Sequence, residues 1–324
     1  MTGHVDALPD PIRWVRSGDE GELRGFDASV ERVVVDGELD EATWRRIGEL
    51  LSPLPDVELS IQRGDDIEML RWIPGLRRLH VGSLRLRSLD GVGHVLPTLE
   101  WLALGDTLHP VSMAPLAGAP RLERLGVNGS WRHPETIASL TTLRRLGIGT
   151  VDVEWLLPLT ALERFTSGLG TVRRLDRLSE VGRLEYVELY RLRGPHDLTP
   201  LARIPTLRTL LLESTRAIDR LPSFAESPSL HWVTLDSMRG ITDLRPIAAA
   251  PNLTVLLLVG MSQLSVDDLR PLVGHPALRA AILGLGSLRK NVEAAALLPL
   301  PPANGEPAPW EDPERTGIRH PATT

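Results

Sequence analysis

The only two tyrosines of this 324-residue chain, Tyr186 and Tyr190, bracket Glu188 in the stretch "YVELY". In an extended strand, side chains two residues apart point to the same side. That spacing would put two phenols and a carboxylate on one face. Trp232 and Asp236 stand four apart in "WVTLD", and Glu213 closes "TLLLE". Arg78, Arg124, Arg145 and Arg164 each precede a leucine or phenylalanine in similar short apolar stretches, as Trp101 does. Tyr, Trp and Arg are the side chains that most often carry binding energy at protein interfaces. Aromatic rings beside carboxylates also suit the flat faces of sugars. The chemistry these residues offer is recognition.

Bond-breaking chemistry finds little to work with. The chain has no cysteine, which removes disulfides, thiolate catalysis and cysteine-ligated metal. No GxSxG, HExxH, GxxxxGK[ST] or EF-hand pattern occurs. "GVGH" (91–94) and "GLGS" (284–287) lack the third glycine of a dinucleotide motif and read as tight turns. The nine histidines include no pair at i, i+4, so a metal site is not expected. Asp65 and Asp66 in "RGDDIEML" read as caps of a short helix rather than an acid–base pair. A hydrolase would need several of His80, His94, His109 and His133 to converge with a carboxylate. The expectation is a chain without enzymatic activity, metal or cofactor.

Bulk properties agree. Hydrophobic residues make up 42% and charged residues 24%, enough apolar material for a core. A net charge of −6 argues against a general nucleic-acid surface. No apolar run approaches the ~18 residues that span a bilayer. The N-terminal "MTGHVDALPDPIRW" shows no basic region followed by an apolar stretch, so a cytoplasmic setting is expected. Lys290 is the only lysine among 36 basic residues. With the abundant Gly, Pro and Ala, this suggests a GC-rich bacterial genome.

The elements that must position the recognition residues repeat along the chain. A Leu-x-x-Leu-x-Leu pattern, with Val, Ile or Phe allowed, starts at Leu54, Leu76, Leu99, Leu122, Leu143, Leu162, Leu184, Leu207, Leu230, Leu253 and Leu278. The steps are 22, 23, 23, 21, 19, 22, 23, 23, 23 and 25 residues, and Val30 with Val33 and Val35 adds a degenerate earlier copy. One such strand cannot bury its leucines alone, whereas stacked coils bury them against one another and form a parallel sheet. Paired prolines, as in "PLARIPTLRTLLL" (200–212) and "PIAAAPNLTVLLL" (246–258), bracket the return path. The first proline suits a helix's first turn and the second stops it. Asp197, Thr242 and Ser265 or Asp267 are the expected helix caps.

These repeats resemble the leucine-rich-repeat family over about 30–285, and "ITDLRPIAAAPNLTVLLL" (241–258) is most similar to internalin-type and related bacterial repeats. The resemblance implies an α/β solenoid: a curved horseshoe, with a parallel β-sheet on the concave face and short helices or 3-10 turns on the convex face. It also implies binding through the concave face. One departure stands out. The family places an asparagine after the strand to bond neighbouring coils, where this chain mostly has Gly, Ser, Thr or Asp, so irregular coil geometry is expected.

Four regions follow. Residues 1–53 form an N-terminal capping region in which "DEATWRRIGELL" (40–51) is an amphipathic helix capped by Asp40. The repeat array occupies 54–285. A closing helix lies in 286–300, and the Pro-rich segment 301–324 reads as a disordered tail.

Aligned copies also predict the outward columns. Asp56, Arg78, Trp101, Arg124, Arg145, Arg164, Tyr186, Thr209, Trp232, Val255 and Ala280 fall in the first; Glu58, His80, Glu188, Leu257 and Ile282 in the second; Ser60, Tyr190, Glu213, Asp236 and Val259 in the third. The protein-binding set is Arg78, Trp101, Arg124, Arg145, Arg164, Tyr186, Glu188, Tyr190, Glu213, Trp232 and Asp236. The plainer alternatives are a solvated arginine column and aromatics that merely pack on each other. Val255, Leu257, Val259 and Ile282 form an outward apolar patch, read either as a homodimer seam or as a surface covered by the tail around Trp310. The reading is a non-enzymatic scaffold for an unidentified protein partner. Carbohydrate or small-ligand recognition by the aromatic cluster is the alternative.

Overall fold

The computed structural model describes residues 11–194 and 197–303. The expected disorder of the tail beyond Ala303 and the position of Trp310 lie outside the described residues. The chain forms two compact units, one up to Leu143 and one from Arg144 onwards.

In the first unit, strands β1 (Ile12–Val15), β2 (Arg32–Val35), β3 (Glu58–Ile61), β4 (Arg78–Val81), β5 (Trp101–Leu104) and β6 (Arg124–Val127) pair in parallel, each with the next in sequence. Helix α1 (Glu41–Leu51) joins β2 to β3 and buries Trp44, Ile47 and Leu51. The Asp40 carboxylate accepts from the Thr43 amide at 2.8 Å, as expected of its cap. Strand β1 was not anticipated: "IRWV" carries no copy of the leucine pattern, and only its pairing with β2 makes it a strand.

In the second unit β7 (Arg145–Ile148), β9 (Arg164–Gly168), β11 (Tyr186–Tyr190), β12 (Thr209–Glu213), β13 (Trp232–Asp236), β14 (Val255–Val259) and β15 (Ala280–Leu283) form the parallel row. Two-residue strands β8 (Val151–Asp152) and β10 (Val172–Arg173) pair separately. Helices α2 (Thr199–Ala202) and α3 (Arg245–Ala248) follow β11 and β13, and α4 (Leu288–Leu297) follows β15. The remaining return paths are mostly 3-10 turns such as Asp90–His94 and Leu175–Glu180.

The inward leucines form the core. Leu79, Leu102, Leu125, Phe165, Val187, Leu210, Val233 and Leu256 are fully buried. The proline-bracketed helices bury Leu201 and Ile247, while Ala202 and Ala248 are only half-buried.

The caps sit slightly differently from expectation. Asp197 accepts from the Thr199 amide at 2.9 Å, just ahead of α2. Before α3 it is Asp243 rather than Thr242 that accepts from the Arg245 amide, at 2.9 Å. Asp268 holds both the amide (2.8 Å) and hydroxyl (2.7 Å) of Ser265. A carboxylate two residues ahead of an amide closes a tight Asx turn, which a threonine does more weakly.

The missing asparagine is replaced by backbone. Leu169, Arg191, Ser214 and Ser237 follow β9, β11, β12 and β13, and all adopt positive φ, at 59°, 48°, 49° and 53°. Each amide then donates to the last carbonyl of the next strand, at 3.2, 2.9, 2.8 and 2.8 Å. At the start of several strands a hydroxyl does similar work. Thr98, Thr142 and Thr206 donate to the carbonyls of Leu76, Leu122 and Leu184, each at 2.8 Å. Main-chain groups and threonines thus satisfy one another from coil to coil where the family uses asparagine, while the return paths vary between helices, 3-10 turns and short strands.

Candidate functional site

The outward columns are real rows of the sheet. In the first unit Arg78 is in register with Trp101, and Trp101 with Arg124. In the second the row runs Arg145, Arg164, Tyr186, Thr209, Trp232, Val255, Ala280. Tyr190, Glu213 and Asp236 form a parallel row beside it.

One copy was misaligned. Glu58 is in register with Arg78, and Ser60 with His80. Glu58 thus belongs to the first column and Ser60 to the second, two residues from the expected places, and Asp56 lies outside the strand. Leu59, the third leucine place of the pattern started from Leu54, is in register with Leu79 and so fills the second place, pointing inward in β3. A helix precedes this copy instead of a short turn, so spacing alone mislocated it.

The aromatic group is packed, not loosely displayed. Tyr186, Tyr190 and Trp232 are 6%, 5% and 8% exposed. The Tyr186 hydroxyl donates to Glu188 at 2.8 Å, and Thr166 donates to the same carboxylate oxygen at 3.3 Å. The Arg164 guanidinium lies over the Tyr186 ring at 5.4 Å, and Arg78 lies over Trp101 at 5.9 Å. Trp232 donates its indole N–H to Thr234 at 3.1 Å. An added Cβ at Gly168 would stand 2.1 Å from the Tyr190 ring, so that ring needs glycine on the neighbouring strand. Burial, followed by the nearby Glu188 and Glu213 carboxylates, pushes the Tyr190 phenol up to about 12. Around these rings Arg145, Arg164, Glu213 and Asp236 are only half-buried, as are Arg78 and Arg124 in the first unit; Trp101 is buried. Glu213 pairs with Arg191 at 3.6 Å, and Asp236 accepts from Ser237 at 2.8 Å. The face offers half-accessible charges standing around a packed aromatic floor.

The apolar patch is partly covered by the chain itself. Val255 and Leu257 are buried, forming a cluster with Trp232, Ala280 and Ala303, with Ile282 packed against it. Val259 alone stays exposed, at 37%. The chain that leaves α4 runs beside β15, where the Pro301 carbonyl accepts from the Ala281 amide at 3.1 Å, and brings Ala303 into that cluster.

Sequence reasoning missed a polar group in the first unit. Gln62 donates to the Ser60 hydroxyl at 2.7 Å, which leaves that hydroxyl to donate to His80 Nδ1 at 2.8 Å. Burial is the main force lowering the His80 pKa, consistent with a neutral ring that accepts. Glu58 is engaged by Arg32 at 2.9 Å and Ser60 is 2% exposed, so the serine–histidine pair has neither a free carboxylate nor access for a substrate. His94 and His133 pair separately with Glu68 and Glu135 and do not converge with it. Among the described residues no group of three His, Asp or Glu side chains could hold a metal ion, and no helix is long and apolar enough to cross a membrane.

No protein-family model matches the sequence, and no curated protein is similar to it. Solved structures do match. An internalin, InlF, of Listeria monocytogenes superposes with a TM-score of 0.59 at 19% identity, over 88% of this chain and 85% of the internalin. The chain has the leucine-rich-repeat fold. Internalin C2 of the same species, at 19% identity over 75% of this chain and 83% of its own, scores 0.38. The leucine-rich-repeat protein LIC12759 of Leptospira interrogans, at 13% over 85% and 89%, scores 0.35. In this leucine-rich-repeat chain the rows just described are the outward rows of the repeat strands.

Proposed function

We propose that this leucine-rich-repeat protein is a non-enzymatic scaffold that binds a protein partner through the outward face of its strands, centred on the second unit. The observation that carries this reading is the register itself. It sets Arg145, Arg164, Tyr186 and Trp232 in one row, with Tyr190, Glu213 and Asp236 beside them. A rigid row needs little ordering on binding, which lowers the entropic cost of association. Half-accessible arginines would select acidic groups and speed encounter, while the aromatic floor would take an apolar anchor. A cytoplasmic setting is part of the same proposal, and cell fractionation checks it.

The test is affinity capture from native lysate with mass-spectrometric identification. Wild type is compared with an Arg145→Glu, Arg164→Glu variant and with Arg270→Glu, a change of an exposed arginine off this face. The reading expects a protein captured by wild type and Arg270→Glu and lost by the double variant, with capture weakening as salt rises. Capture of the same set by all three would overturn it, and glycan screening would follow.

A further inference from the structure

The outward face carries a piece of its own chain. Pro301 is hydrogen-bonded beside β15, and two residues later Ala303 is buried among Trp232, Val255, Leu257 and Ala280. The chain therefore turns from the edge of the last strand onto the apolar cluster of the face. Twenty-one residues follow Ala303. Trp310 is seven residues on, a reach of about 23 Å in extended chain. Strands repeat every ~4.8 Å, so β11 lies about 10 Å beyond β13 and β7 about 20 Å.

The chemistry of that segment follows the order of the face. After Asn304, Gly305 and Glu306, the four residues Pro307, Ala308, Pro309 and Trp310 are uncharged and reach the stretch where the Tyr186, Tyr190 and Trp232 rings stand. Glu311, Asp312 and Glu314 come next, at the distance of Arg164 and Arg145. Prolines at 301, 302, 307, 309 and 313 restrict the backbone and reduce the entropy lost on docking. We propose that residues 304–316 lie along this face as a built-in competitor for the partner, with Trp310 against the Tyr186–Tyr190–Trp232 group and its acidic residues towards Arg164 and Arg145. This inference rests on the binding role proposed for the same face, and it makes that role conditional: a partner must displace the segment.

The chain's own composition supplies the probe. Both tyrosines lie on this face and there is no cysteine to compete, so nitration by tetranitromethane reports on this surface. Full-length wild type is compared with Trp310→Ala and with Glu311→Gln, Asp312→Asn, Glu314→Gln, all outside the strands and helices described. A tethered ligand at an effective concentration of about 1 mM with a dissociation constant of ~0.1 mM protects its site about tenfold. Both variants are therefore expected to nitrate about tenfold faster than wild type, with rates independent of protein concentration. Equal rates in all three chains would overturn the proposal. Wild-type protection that disappears on dilution would overturn it too, and would point to a second copy. The two readings fail differently. If the binding role fails, Trp310→Ala captures no partner although its nitration contrast stands. If the competitor fails, the nitration rates match whatever is captured.

Discussion

Tyr190 shows how much of this face depends on a neighbour with no side chain. Its ring occupies the space above Gly168, where a methyl group would collide at 2.1 Å. The ring is held down in a low-dielectric surface, which is why its phenol resists ionisation. Gly168→Ala should lift the ring into solvent and lower its pKa from about 12 towards the ordinary value of 10.0, as read by ultraviolet absorbance titration of the two tyrosines. Leu169, next in the chain, presents the opposite case. It is 60% exposed and holds φ at 59° only to offer its amide to Tyr190. The left-handed conformation costs a branched residue ~1–2 kcal/mol, while glycine loses ~0.5–1 kcal/mol more chain entropy on folding. Leu169→Gly should thus raise stability by about 0.5 kcal/mol or slightly more, measured by denaturant unfolding.

At the scale of elements, strands are joined by backbone and by buried polar pairs. The His80 ring on β4 faces Ser60 and Gln62 from the β3 segment, with Glu58 of β3 and Arg32 of β2 as the charged groups nearby. Its folded pKa is depressed below 6.5, chiefly by burial, so the folded state binds fewer protons than the unfolded state between those two values. Stability contributed by the neutral ring is complete above pH 6.5 and is lost as pH falls through the window below it. His80→Gln should remove that part of the pH dependence, visible as a flatter plot of unfolding free energy between neutral and mildly acidic pH. The effect belongs to the β2–β4 strands, because its charge partners lie on neighbouring strands.

For the whole molecule, repeats need ends. After the last strand the buried Leu285 donates its amide to Asn291 of α4 at 2.7 Å, a helix whose Ala294 is fully buried and whose Ser287 cap accepts from the Lys290 amide at 3.3 Å. Lys290 itself ties α4 back to the preceding coil, donating to the carbonyls of Ser262 at 2.9 Å and Leu264 at 2.8 Å. Ala294→Asp would bury a carboxylate in an apolar seam, a change expected to cost about 3 kcal/mol or more. The expected outcome is a lower midpoint in thermal unfolding and earlier amide exchange in β14 and β15 than in β9. Protection that stays uniform would mean that α4 is not the closing element.

The sequence by itself determined the repeat, the parallel rows of outward residues from Arg78 on, the capped helix α1 and the closing helix α4. These follow from local rules: a period of two sends leucines inward, and a fixed step stacks them in register. The tertiary structure decided what no period encodes. It recruited "IRWV" as β1 through pairing with β2, shifted β3 by two residues where a helix replaced a turn, and turned Leu169, Arg191, Ser214 and Ser237 left-handed in place of an asparagine ladder. It also laid Ala303 on the apolar patch, for which the pattern alone left cover by the tail and a homodimer seam as alternatives. Contacts between segments far apart in sequence have no periodic signature, so the rows were legible in the sequence while the cover of the patch stood there only as one of two readings.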